Sequence, residues 1–188
     1  KYRDNNAVTL TYFGDGAANQ GQVYESFNMA KLWNLPCIYV IENNRYAMGT
    51  SVQRSSAQKD LSQRGKSFGI DGEQVDGMDL EAVVLAGRRA VEKVRKKEGP
   101  YILEMLTYRY RGHSMSDPAQ YRSRDEVKEV REHSDPIENV KNKIIAHKYL
   151  TEKEITIINN EIKQIIDNSA EFASNSPLPQ ADELYKDV

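Results

Sequence analysis

The sequence has one cysteine, Cys37, and so cannot close a disulfide within itself. That cysteine lies inside an apolar run, where a thiol serves as a small hydrophobe. A buried structural thiol is the expectation, and a reducing compartment suits it. An excess of charge is lacking as well. The formal net charge is -2 over 188 residues, which offers no electrostatic footing for nucleic acid or for a membrane surface. No apolar run approaches the ~20 residues that span a bilayer. No signal peptide is visible, and the chain opens on Lys1 rather than Met, so a piece of a longer chain is the expectation. What is present, 39% hydrophobic and 29% charged residues, is the composition of a globular domain with a real core.

Residues 1–6 are polar and read as a turn. Residues 7–13 are too continuously apolar for an alternating edge strand and predict a buried parallel strand. Gly14-Asp15-Gly16 breaks it. Val23, Phe27, Ala30 and Leu32 then keep roughly helical spacing, and Asn34-Leu35-Pro36 ends that helix, because proline disfavours helix in the residue before it. Residues 35–41 predict a second buried strand, which runs out in Glu42-Asn43-Asn44. The unit is strand, helix, parallel strand.

Residues 45–77 read as a long, mostly irregular connection with a short strand around 73–75; loops of that length are commonly functional. Asp79 predicts the N-cap of a helix reaching about Lys97, with Val83, Val84, Ala86, Ala90, Val91 and Val94 as its buried stripe. Gly99-Pro100 stops it. Residues 101–106 predict a third strand, and a loop dense in polar chemistry follows at 109–118. From about residue 123 the chain is helical and polar. Ser123 with Glu126, and Thr151 with Glu154, form capping boxes, and Asp135-Pro136 starts a helix between them. These helices are expected to pack on the same sheet or on a partner, with an extended or loosely ordered tail from Ser176. The fold class is α/β, a three-layer parallel sheet.

In open α/β sheets, ligands bind beyond the carboxyl ends of the strands. Asp15 and Asn44 both fall there. Mg²⁺ takes oxygen ligands, commonly one or two carboxylates with phosphate oxygens. Gly16 and Ala17 carry little or no side chain, so a phosphate can approach their backbone N–H groups, and the following helix offers its positive end. A Gly-Asp-Gly alone is a common turn, as is Asn-Asn. Their pairing across 26 residues, with strand, helix and strand between, is more specific. It reads as a site for a divalent cation and a diphosphate.

That spacing is similar to the thiamin diphosphate signature, and longer stretches extend the likeness. Gly14-Asp15-Gly16-Ala17-Ala18-Asn19-Gln20-Gly21, Glu42-Asn43-Asn44-Arg45-Tyr46-Ala47-Met48-Gly49-Thr50, Val75-Asp76-Gly77-Met78-Asp79 and the run from Tyr108 to Pro118 stand in family order. Together they resemble the alpha subunits of the thiamin diphosphate-dependent 2-oxo acid dehydrogenases, the pyruvate dehydrogenase type above all. The resemblance covers nearly the whole chain and matches the C-terminal half of such a subunit. It implies that residues 1–188 are the C-terminal part of one thiamin diphosphate-binding domain. It implies Mg²⁺ held by the Asp15 and Asn44 side chains and the Tyr46 carbonyl, and the cofactor diphosphate held by Gly16 and Ala17 backbone with Asn44. His113 would reach the diphosphate and the reacting centre, where a donating imidazole is useful beside developing negative charge. Arg109 and Arg111 either order their loop, aid the anionic site or are solvated. Ser51 and Ser114 fall where regulated relatives are phosphorylated, and a phosphate there would oppose binding of anions.

The implied reaction is oxidative decarboxylation of pyruvate, with acetyl transfer to the lipoyl domain of dihydrolipoyl acetyltransferase. The implied partner is a beta subunit in an α2β2 assembly, which holds the other half of the cofactor, so this chain alone is expected to be inactive without that partner and the family's upstream half. Bacterial cytoplasm and mitochondrial matrix both suit that role. Branched-chain 2-oxo acid or acetoin dehydrogenase alpha subunits are alternatives, with a weaker match at Asn19-Gln20, Arg45 and residues 112–115. A haloacid-dehalogenase-like phosphohydrolase also carries Gly-Asp-Gly before Asn-Asp, but here Gln20 follows Asn19 and the spacing is one residue too long. A non-catalytic scaffold is a further alternative; against it, every implied metal position holds the residue type required.

Overall fold

Strand β2 (Cys37–Asn43) divides the core into two layers. In the computed structural model, which describes residues 5–186, its successive side chains alternate between faces, as a pleated strand requires. Tyr39 and Ile41 join Phe27 and Ala30 of helix α1 (Gly21–Leu32) in one apolar cluster. Ile38 and Val40 join Ala86, Ala90 and Val94 of helix α3 (Leu80–Arg95) in the other. The sheet order is β1 (Thr9–Gly14), β2, β6 (Tyr101–Leu106) and β5 (Asp71–Asp76), with every pairing parallel. Helix, sheet and helix make the three-layer α/β fold that the sequence predicts. Most of the polar turn expected at residues 1–6 lies outside the described residues.

Four expectations need correction. β1 pairs in parallel as expected but is not buried. It stands at the sheet edge among the described residues, with β2 as its one neighbour, and Leu10 and Tyr12 are 46% and 60% exposed. Val84, expected in the buried stripe of its helix, is exposed to solvent. The connection after Asn44 is far more ordered than its composition suggests. It holds a hairpin of β3 (Tyr46–Ala47) and β4 (Thr50–Ser51), helix α2 (Val52–Ser55), a 3₁₀ segment (Leu61–Phe68) and β5. Leu61 and Ser62 are buried against the α1-side cluster, so tertiary contact supplies the order that local propensity lacks. Finally, the capping box at Ser123 is half made. Its side chain accepts from the Glu126 N–H, but the Glu126 carboxylate instead accepts from the Tyr108 hydroxyl.

Asp79 caps α3 as expected, accepting from the Glu81 and Ala82 N–H groups. Helix α4 (Arg124–Ser134) belongs to the first of two compact units, which ends at Asn139. Helix α5 (Pro136–Ala146) begins where Asp135-Pro136 predicts and runs across the boundary, with Asp135 Oδ1 accepting from the Ile137 and Glu138 N–H groups. In the second unit, α6 (Glu152–Asn175) opens on the complete Thr151–Glu154 capping box, and the tail, expected to be extended or loosely ordered, carries a 3₁₀ turn at Ala181–Tyr185. Among the described residues no helix is long and apolar enough to cross a membrane.

Candidate functional site

Register places the signature residues side by side. Gly14, the last residue of β1, pairs with Glu42, so Asp15 and the pair Asn43-Asn44 leave adjacent parallel strands at the same level. Asp15 is 3% exposed, and its Oδ2 is buried with no hydrogen-bond partner. Burial pushes its carboxyl pKa up; the backbone N–H groups of Asp15 and Asn44 and the charge of Arg109 oppose the rise. The structure therefore brings Asp15 and Asn44 together, and leaves one carboxylate oxygen aimed at no protein donor.

Gly16 and Ala17 follow at the start of a short 3₁₀ turn (Ala17–Asn19), which the sequence reading does not foresee between Asp15 and α1. Arg64 steadies that turn by donating to the Ala18 carbonyl and, at 2.7 Å, to Asn19 Oδ1. Glycine at 16 also has a packing reason. A Cβ there would lie 2.5 Å from Ala47 Cβ, so the absent side chain admits the β3–β4 hairpin. Through that contact Gly16 sits beside the residue following Tyr46.

The turn from β2 into the hairpin is shaped by its own side chains. Asn43 Oδ1 accepts from the Arg45 N–H at 3.0 Å, and Arg45 takes a left-handed φ of 75°. The Tyr46 carbonyl accepts from Arg109 Nη1 at 3.2 Å, and the same guanidinium donates to Met48 O, Tyr121 Oη and Arg111 O. Arg109 thus orders its loop and clamps it to the hairpin, one of the roles left open by the sequence.

His113 is not brought into direct hydrogen bonding with the other candidate residues. It is exposed, and its backbone N–H donates to Asp117 Oδ2 at 2.7 Å. Asp117 Oδ2 also accepts from the Tyr121 hydroxyl, which in turn accepts from Arg109. A relay of hydrogen bonds therefore links the His113 backbone to the Tyr46 carbonyl. A 520 Å³ groove runs along the sheet face past Leu10, Val40, Val83 and Leu103 and reaches Asn44 and Arg109 at the strand ends. Cys37, expected to be buried, is half-buried beside the α1-side cluster, and burial pushes its thiol pKa up.

One residue that the sequence reading passes over is Glu104. It is fully buried in the middle of β6 and accepts from Asn43 Nδ2 at 2.7 Å, from the Ser62 N–H at 3.1 Å and from Gln74 Nε2 at 3.1 Å. Burial pushes its pKa up, against the lowering by these three donors. The signal in the sequence is a lone acid within an apolar strand, Tyr-Ile-Leu-Glu-Met-Leu, since such a charge requires partners.

Comparison with known proteins supplies the family. The family model described as dehydrogenase E1 component matches residues 1–182. The chain is 62% identical over its whole length to a protein of Rhizobium meliloti (strain 1021) named pyruvate dehydrogenase E1 component subunit alpha, covering 54% of it. A Rickettsia conorii protein of the same name is 52% identical, with 57% of it covered. A Dictyostelium discoideum protein named as the mitochondrial form is 50% identical over 189 residues, with 50% of it covered. The chain spans about half the length of the curated relatives it matches. With the match running through the strand ends and both loops described above, the chain belongs to the dehydrogenase E1 component family.

Proposed function

We propose that these residues are the C-terminal part of a pyruvate dehydrogenase alpha subunit, within one thiamin diphosphate-binding domain, and that Mg²⁺ and the cofactor diphosphate bind at the ends of β1 and β2. The observation that carries this reading is the unpartnered, buried Oδ2 of Asp15. A buried carboxylate oxygen without a donor is costly unless a cation meets it. The donor set fits Mg²⁺, because a carboxylate, the Asn44 amide oxygen and the Tyr46 carbonyl are hard oxygen ligands. Among the described residues no cluster of three or more His, Cys, Asp or Glu could hold a metal.

In this reading Asp15 and Asn44 ligate the metal through their side chains and Tyr46 through its carbonyl, which Arg109 holds in place. Gly16 and Ala17 present backbone to the diphosphate, with Asn44 alongside. His113 donates toward the diphosphate and the reacting centre from its loop. Bound thiamin diphosphate supplies the electron sink for loss of carbon dioxide from a 2-oxo acid, and the protein supplies position and field. The relatives' name, pyruvate dehydrogenase E1 component subunit alpha, supports pyruvate as substrate and a beta subunit as partner; an α2β2 assembly and a lipoyl domain of dihydrolipoyl acetyltransferase as acetyl acceptor complete the reading. Bacterial cytoplasm or mitochondrial matrix is the corresponding setting.

The test is carbon dioxide release by the full-length subunit assembled with its beta partner. Pyruvate and branched-chain 2-oxo acids are compared with metal and cofactor present or omitted; acetoin is followed by acceptor reduction. Pyruvate turnover that needs both additions and is lost in Asp15→Ala is the expected result. Turnover of another substrate would change the substrate and keep the site. No cofactor-dependent turnover in the assembled heteromer would overturn the reading.

A further inference from the structure

Glu104 lies outside the proposed ligand set, yet every donor that reaches it comes from a different part of the site's support. Asn43 ends β2, Gln74 lies on β5, and Ser62 belongs to the 3₁₀ segment. Asn43 is the pivotal contact. Its Nδ2 donates to Glu104, so its Oδ1 must face the other way, and there it accepts from the Arg45 N–H. The Asn43 carbonyl accepts from the Thr107 N–H at 2.9 Å, which ties the strand end to β6. The left-handed φ at Arg45 is thus held from the Asn43 side chain.

We propose that Glu104 is a positioning residue for the metal-binding turn. By accepting from Asn43 Nδ2 it dictates which way that amide faces, and so holds residues 43–46 in the shape that presents the Asn44 side chain and the Tyr46 carbonyl. The inference rests on the function proposed above, which makes those two groups ligands. Partners one shell out from a metal typically change its affinity 10–100-fold when replaced.

Hydrogen-bond polarity makes the inference testable. An amide in place of the Glu104 carboxylate offers one acceptor and one donor end. With the donor end toward Ser62, that backbone N–H faces an NH₂ group and keeps Asp60 Oδ1 as its acceptor. With the donor end toward Asn43, the Asn43 amide must flip and present its own NH₂ to the Arg45 N–H. Either arrangement sets an NH₂ group against a backbone N–H in a buried site, and the second leaves the Arg45 N–H unmet. Asn43→Asp alone sets a second carboxylate against Glu104 where a donor stood at 2.7 Å. The two changes together restore every bond with reversed polarity. The new carboxylate at 43 accepts from the Arg45 N–H and from the new amide at 104, whose oxygen still accepts from Ser62 and Gln74.

The experiment uses the full-length subunit assembled with its beta partner, Mn²⁺ as the probe and electron paramagnetic resonance of free Mn²⁺ as the readout, with thiamin diphosphate present. Amide exchange at Arg45 is followed in the metal-free protein. Glu104→Gln and Asn43→Asp are each expected to weaken Mn²⁺ binding ~10–100-fold and to speed Arg45 exchange. The double variant should recover both, and Gln74→Met, which removes a Glu104 donor outside the turn, should change Mn²⁺ affinity by less than about threefold. Single variants that bind and exchange like wild type overturn the inference, as does a double variant no better than the weaker single. If the single variants do not fold, a folded double variant supports the coupling and an unfolded one refutes it. Wild-type protein that takes up no Mn²⁺ overturns the proposed function instead, while Arg45 exchange still judges the Glu104–Asn43 coupling.

Discussion

Arg109 donates from Nη1 to the backbone carbonyl of Tyr46 at 3.2 Å, a contact across 63 positions of sequence. A carbonyl oxygen has two lone pairs, so this bond orients the oxygen and leaves one pair for a cation. The same guanidinium also opposes the upward pKa shift of Asp15. One side chain therefore acts on two of the three proposed ligands.

Arg109→Lys keeps the charge and loses the planar fork that reaches four acceptors. Hydrogen bonds from charged donors are worth about 1.5–3 kcal/mol each, so metal-dependent cofactor affinity should fall at least tenfold. Amide exchange across residues 46–51 should quicken. A lysine variant with wild-type affinity and protection would mean that the hairpin positions the carbonyl unaided.

Gly16→Ala tests the close approach of the hairpin. The φ of Gly16 is −68°, which any residue adopts, so the penalty is space alone. A Cβ 2.5 Å from Ala47 Cβ should cost about 1–3 kcal/mol, read as a lower urea midpoint. Ala47→Gly in the same chain should recover most of the loss. An unchanged midpoint in the single variant would show that the hairpin yields freely.

Asp15→Asn should separate stability from binding. The folded carboxyl pKa lies above its ordinary 3.8 because burial disfavours the charge. More protons are then bound in the folded than in the unfolded state, so this group's contribution is fully present below about pH 3.8 and declines as pH rises through the folded value. The asparagine variant escapes that decline. Metal-free and at neutral pH it should be more stable than wild type by about 1–3 kcal/mol, while binding no Mn²⁺. Denaturant titration in chelator, repeated below and above the transition, checks both; a less stable neutral variant would refute the assignment of strain to the ionised carboxylate.

Asp117 should govern the order of the His113 loop. Its carboxylate accepts from the His113 and Ala119 N–H groups and the Tyr121 hydroxyl, and these donors hold its pKa below 3.8. A depressed carboxyl contributes above the unfolded value and is lost as pH falls through the folded one. His113 amide protection should therefore be flat across neutral pH and fade only in acid. Asp117→Ala should abolish the protection at every pH and weaken cofactor binding with little change in the thermal midpoint. Protection that survives the substitution would place control of the loop with Arg109 alone.

Much of this protein is legible from local pattern. The strand character of the apolar runs, the helical spacing around Phe27 and Ala30, the Asp79 cap and the Thr151–Glu154 box depend on neighbours a few residues apart, and each is found as expected. The pairing of Asp15 with Asn44 is also readable, because a strand-helix-strand unit brings the ends of its two strands together. What only the tertiary structure decided depends on contacts between distant residues. β1 is apolar enough for a central strand, but position in a sheet is set by which strands pair, and here it has one neighbour among the described residues. Residues 45–77 lack strong local propensity and gain their order by packing on the core. Glu104 and Arg109 look like a misplaced charge and a solvated one. Their meaning comes from partners on other elements, 61 positions away at Asn43 and 63 at Tyr46, which no short-range pattern encodes.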